Sequence, residues 1–155
     1  MPSNASDTPI AAPAPLWRRF AAMLYDVFPL VGLWFLAALL WNLASGAHYN
    51  VAHPDYAQHG GMLSQALLQL WLLVVTGAYF LISWTRVGAT IGMRAWKVRL
   101  VREDGARIDV RTAVLRFVLA LLSLALLGGG FWYARFDPQR RTLHDRICAT
   151  RMLRA

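Results

Sequence analysis

The sequence predicts an all-α integral membrane protein: two full transmembrane helices plus a third apolar helix or re-entrant helical hairpin, with a small cytoplasmic β-hairpin. Three observations predict it. Residues 17–41 and 62–85 are apolar stretches each long enough for a hydrocarbon core about 30 Å thick. The composition, 57% hydrophobic and 15% charged over 155 residues, lies outside the soluble range of about 45–50% and about 25%. Finally, the charge is lopsided. All 16 Lys and Arg stand at Arg18 and Arg19 or from Arg86 onward, with none in residues 20–85. That is the positive-inside pattern, which puts both termini in the cytoplasm and residues 44–61 on the far side. It also accounts for the net charge of +8 without nucleic acid, which is excluded as a partner.

Residues 1–15, rich in Pro, Ala and Ser, read as a disordered tail ahead of one membrane domain over 16–155. The first span, about 17–41, is too long for a cleaved signal and is expected to be retained. Trp17 and Trp41 bracket it about 36 Å apart at the helical rise, where indoles favour both headgroup layers. Between residues 20 and 40 its ionisable side chains are Tyr25 and Asp26. Pro29 crowds the carbonyl of Tyr25 and is expected to bend the helix beside Asp26. The loop 44–61 carries His48, His53, His59 and Asp55, but their spacing matches no metal-ligand pattern and no metal is expected.

The second span, about 62–85, carries a polar helix face of Gln65, Gln69, Thr76 and Ser83, at steps of four, seven and seven. Such a stripe turns toward neighbouring helices or lines a small polar path. The cytoplasmic loop 86–109 alternates apolar and basic residues around Asp104 and Gly105, which predicts a two-strand hairpin. Gly88 and Gly92 lie in GATIG, but no Gly-Lys-Ser or Gly-Lys-Thr follows, so a backbone turn replaces a phosphate loop.

Asp109 is placed to cap the third apolar segment, about 110–134, which contains Arg116 and the glycines 128–130. Three full spans would leave the basic tail 135–155 outside, against its six arginines. A glycine-hinged re-entrant hairpin removes that conflict. Asp26 lies seven residues beyond Arg19 and Arg116 seven beyond Asp109. Both therefore sit about 10 Å deep, and an ion pair between Asp26 and Arg116 is expected, against the alternatives of a snorkelling arginine or a protonated aspartate.

Three segments together resemble the RDD family of bacterial membrane proteins: RRFAAMLYD at 18–26, GATIGMRAWKVRLVREDG at 88–105 and RFDPQRRTLHDRICATR at 135–151. Carried over by position, the family arginine is Arg18 or Arg19, with Arg19 preferred, and the aspartates are Asp26 and Asp145. The resemblance implies a multi-pass protein of the bacterial cell (inner) membrane and a role in transport of small solutes or ions.

The sequence holds no activated nucleophile at an interpretable spacing, so no catalytic residue, enzyme activity or cofactor is expected. The leading reading is a transport component with Asp26 as the ion or proton site, since intramembrane acids are costly and mark pathways. The other is a scaffold or assembly subunit whose charges only lock helices together. One copy encloses no obvious pore, so transport implies a homo-oligomer or a partner membrane protein in the bilayer. Asp145 is expected to reach Arg19 or Arg94 and pin the tail to the bundle.

Overall fold

The computed structural model describes residues 12–45, 54–126, 135, 137 and 141–154. Helix α1 runs unbroken through Pro29 over Leu16–Ser45, and α2 covers Pro54–Ile82 before a π-helical turn at Ser83–Val87. The α2 helix starts well before residue 62, so part of the expected loop is helical. Two stretches, Leu16–Ala44 and Gly61–Val87, are long and apolar enough to cross a membrane. Their side chains are mostly exposed, with Phe28 and Phe35 each 74% open. In water such a surface would be an aggregation liability, whereas lipid chains can cover it.

Helices α1 and α2 are tied by indole hydrogen bonds. Trp34 Nε1 donates to Thr76 Oγ1 at 2.8 Å and Trp71 Nε1 to the carbonyl of Ala37 at 3.2 Å. Near the contact to the next helix, a Cβ on Gly77 would stand 3.2 Å from the Phe117 ring. Of the expected polar face, Thr76 is thus used between helices, while Gln65 and Gln69 are exposed.

At the other end of the pair the chain builds a polar cap. Gly88, at φ 76°, stops the π-helical turn in a conformation that glycine adopts without strain. Helix α3 (Ile91–Ala95) then packs on α1, and β1 (Val98–Arg102) follows. The turn at residues 103–105 forms, with Gly105 at φ 81° and Arg102 N–H bonded to the Ala106 carbonyl at 3.1 Å. The expected hairpin does not. Only residues 106–108 remain before Asp109 caps α4 (Val110–Ala125), and Ile108 is drawn into the core. The partner of β1 is instead β2 (Thr150–Arg154), antiparallel, with Val98 opposite Arg154 and Arg102 opposite Thr150.

Residues 12–15 are part of this cap, contrary to a tail that is disordered throughout. Pro13 bridges to Leu153, and Ala14 N–H bonds the Met152 carbonyl at 2.9 Å. Short apolar segments are ordered here because β2 offers an open edge. Helix α4 spans 16 residues, about 24 Å, too short to cross a bilayer alone. The return limb of the expected hairpin lies outside the described residues. In the tail, α5 (Leu143–Ile147) carries a capping box between Thr142 and Asp145. The apolar core, including Ala22, Trp84, Met93, Val98, Leu100 and Ala113, sits where α1, the end of α2, α3, β1 and α4 converge.

Candidate functional site: two buried carboxylates in opposite surroundings

Of the buried aspartates, Asp137 at 9% exposure pairs with Arg141 near the surface, and the two buried most deeply are Asp26 at 3% and Asp145 at 0%. A buried carboxylate must be paired or hydrogen-bonded, and the two meet that demand differently.

Asp145 is held by charge. Arg19 Nη1 donates to its Oδ2 at 3.0 Å, and Arg116 Nη1 donates to its Oδ1 and, at 2.7 Å, to Thr150 Oγ1. Thr142 N–H adds a bond at 3.2 Å. Arg19 also donates through Nε to the Ala14 carbonyl at 3.1 Å, and the Arg116 guanidinium lies 5.4 Å from the Trp84 ring centroid. One carboxylate therefore joins α1, α4, α5 and both terminal segments. Burial alone would raise the Asp145 carboxyl, but Arg116, His144 and Arg19, helped by Thr142, outweigh it and hold it at about 2. The two guanidiniums leave the cluster one positive charge in excess. Neighbouring His144 is accordingly pushed down to about 4, by burial first and then by Arg116. It is neutral near pH 7.

Asp26 is held without a cation. Tyr79 Oη donates to Oδ1 at 2.7 Å, Gly92 N–H to Oδ1 at 2.8 Å and Thr90 Oγ1 to Oδ2 at 2.5 Å. Both hydroxyls are themselves oriented. Tyr79 Oη accepts from Ile91 N–H at 3.3 Å, and Thr90 Oγ1 accepts from Met93 N–H at 3.2 Å as the cap of α3. Gly92 is required at this point. A Cβ there would collide with the Ala22 carbonyl oxygen and stand 2.9 Å from Asp26 Cγ. Among the described residues no basic side chain lies within ion-pair distance of Asp26.

The expected pair between Asp26 and Arg116 is therefore not formed. Equal depth along two helices does not make two faces meet, and Arg116 points into the cap, where the tail supplies Asp145. Between Arg18 and Arg19, it is Arg19 that enters the buried cluster. Arg18 stays outside it, half-buried, with its guanidinium 5.2 Å from the Trp17 ring centroid. Sequence reasoning missed Tyr79, Thr90 and Gly92 as the partners of Asp26, and Thr142 and Thr150 as those of the second cluster. A usable signal existed: Thr90 stands three residues before Met93 at a helix start, and Tyr79 is a hydroxyl in an otherwise apolar run. Among the described residues no group of three or more His, Cys, Asp or Glu could hold a metal. The side chains of the 44–61 loop histidines lie outside that description.

Fold and site define a class: a small, mostly helical protein with two helices long and apolar enough to span a membrane and a polar cap closed by buried arginine–aspartate contacts. The RDD family profile matches residues 13–149, and the chain belongs to the RDD family. The Bacillus subtilis (strain 168) protein described as "Uncharacterized protein YxaI" is 24% identical over 147 residues, covering 91% of this chain and 97% of that protein. No solved structure matches.

Proposed function

We propose that the chain is a non-catalytic, multi-pass component of small-solute or ion transport in a bacterial cell membrane, with Asp26 as the cation or proton site. The observation that carries this reading is the contrast between the aspartates. Asp145 is neutralised by two arginines, whereas Asp26 is buried in an apolar helix with hydroxyl and amide donors and, among the described residues, no basic partner. A negative charge in hydrocarbon that lacks a protein cation attracts a mobile one. Asp26, Tyr79 and Thr90 supply four oxygens within one small volume, and hard cations favour oxygen ligands. A proton on the carboxyl would serve the same balance.

In this reading both termini are cytoplasmic and residues 44–61 face the opposite side. A second copy or another membrane protein completes the path, because two spans and a short helix enclose none. A scaffold reading is favoured by the Arg19–Asp145–Arg116 cluster, which ties five segments together. Purified protein in liposomes separates the two. Collapse of an imposed Na⁺ or pH gradient by the wild type, and its loss in Asp26→Asn with an unchanged melting temperature, supports transport. Flux no greater than in empty liposomes supports the scaffold.

A further inference from the structure

A second feature of the cap is a groove of about 640 Å³ lined by Arg94, Lys97 and Arg99 around Val87, Ala89 and Val98. Its three cations are exposed, and among the described residues none of them forms an ion pair. Three like charges gathered on one wall repel each other, so the arrangement costs free energy unless an anion offsets it.

The position of the groove indicates what the anion is attached to. Trp96, between Arg94 and Lys97, meets Trp17 edge to face with ring centroids 5.7 Å apart. Arg18 Nη1 also donates to the Trp96 carbonyl at 3.5 Å. Trp17 marks the start of α1, and indoles gather at the headgroup layer. The three cations therefore lie at headgroup level. Val87, exposed at the end of the π-helical turn that follows α2, adds an aliphatic side chain beside the charges. We infer that this groove binds the phosphate of an anionic phospholipid, with Arg94, Lys97 and Arg99 on the phosphate and the exposed Val87 against the glycerol and first acyl carbons. Arginine can grip a phosphate through two N–H groups, and lysine adds a point charge. The inference requires that the two long helices span a bilayer; it requires neither transport nor a particular orientation.

Lys97 provides a test that does not depend on damage to the fold. It sits at φ 54°, where glycine is less strained than any side-chain-bearing residue, so Lys97→Gly removes the charge without destabilising the turn. The full chain in neutral detergent is titrated with phosphatidylglycerol, phosphatidylcholine or inorganic phosphate, and bound lipid is counted by native mass spectrometry. Phosphatidylglycerol is expected to be retained in preference to phosphatidylcholine. Lys97→Gly and Arg99→Gln are each expected to weaken retention about fivefold, the effect of one cation near an anionic surface. Arg107→Gln, the same charge change outside the groove, is expected to leave it unchanged. Equal retention of the two lipids, or equal losses in Lys97→Gly and Arg107→Gln, overturns the inference. Displacement of phosphatidylglycerol by millimolar inorganic phosphate also overturns it, by making the groove a site for a soluble anion.

Discussion

Replacing Asp145 by Asn keeps its size and removes its charge. In the folded protein the cluster carries two guanidiniums and one carboxylate, a net charge of +1. Asp145→Asn raises this to +2 at a site where Asp145 is fully buried and Arg116 is 1% exposed. Removing one partner of a buried ion pair costs about 3–5 kcal/mol, and a weakened capping box adds about 1 kcal/mol. Arg116→Met acts in the opposite sense. It leaves Asp145 paired with Arg19 in a neutral cluster, and its cost is the lost hydrogen bonds to Asp145 and Thr150 and the Trp84 contact, about 2–4 kcal/mol. The double replacement returns the net charge to +1 and is expected to cost less than the sum. For a chain of this size each kcal/mol moves the midpoint by about 2–4 °C, so Asp145→Asn lowers the detergent melting temperature by about 8–24 °C and Arg116→Met by less. Tryptophan fluorescence during heating reads both. Equal losses in the two single variants, or strict additivity in the double, would refute the charge count.

Three further outcomes follow from the same geometry. Gly92→Ala is expected to lower the yield of folded protein sharply, because its Cβ meets the Ala22 carbonyl and the Asp26 carboxyl; size-exclusion chromatography in detergent checks this, and a wild-type yield would contradict the packing. His144 is held below its ordinary 6.5, at about 4, so between those values the unfolded chain binds more protons than the folded one. Stability is therefore expected to fall by about 3 kcal/mol as pH drops through that window, measured as a melting temperature against pH that flattens in His144→Gln. Asp145 adds its own loss only at still lower pH, from its ordinary 3.8 toward about 2. For topology, Ala57→Cys in a Cys148→Ser background is expected to react with an impermeant maleimide added outside the cell, and Ala155→Cys is not; reaction at 155 contradicts two cytoplasmic termini.

What was legible in the sequence was whatever depends on local pattern. The lengths of the apolar runs set α1 and α2, and Asp109 capped α4 where a side-chain acceptor before an apolar run belonged. What was not legible depends on which distant segments meet. The alternation around Asp104 and Gly105 foretold a strand and a turn, yet the strand's partner lay in the basic tail. Its edge was completed by residues 12–15, which composition alone assigned to disorder. The same limit governed the charges. Depth along a helix can be counted from the sequence, but azimuth and the position of the tail cannot, so Arg116 was assigned to Asp26 while the fold gave it to Asp145. Three short-range signals, Tyr79, Thr90 and Gly92, acquire meaning only once α3 folds back on α1.

The proposed function makes Asp26 the exchangeable acid and Asp145 the fixed one. Covalent labelling tests it most directly. A hydrophobic carbodiimide reacts with a protonated carboxyl inside a membrane, and the modified residue is read by mass spectrometry of the protein in its native lipid. Labelling is expected at Asp26 and to decline as Na⁺ concentration rises, with none in Asp26→Asn and none at Asp145 under the same conditions. Labelling at Asp145, or an Asp26 that resists the reagent at every cation concentration, would contradict this assignment and leave both aspartates as structural locks.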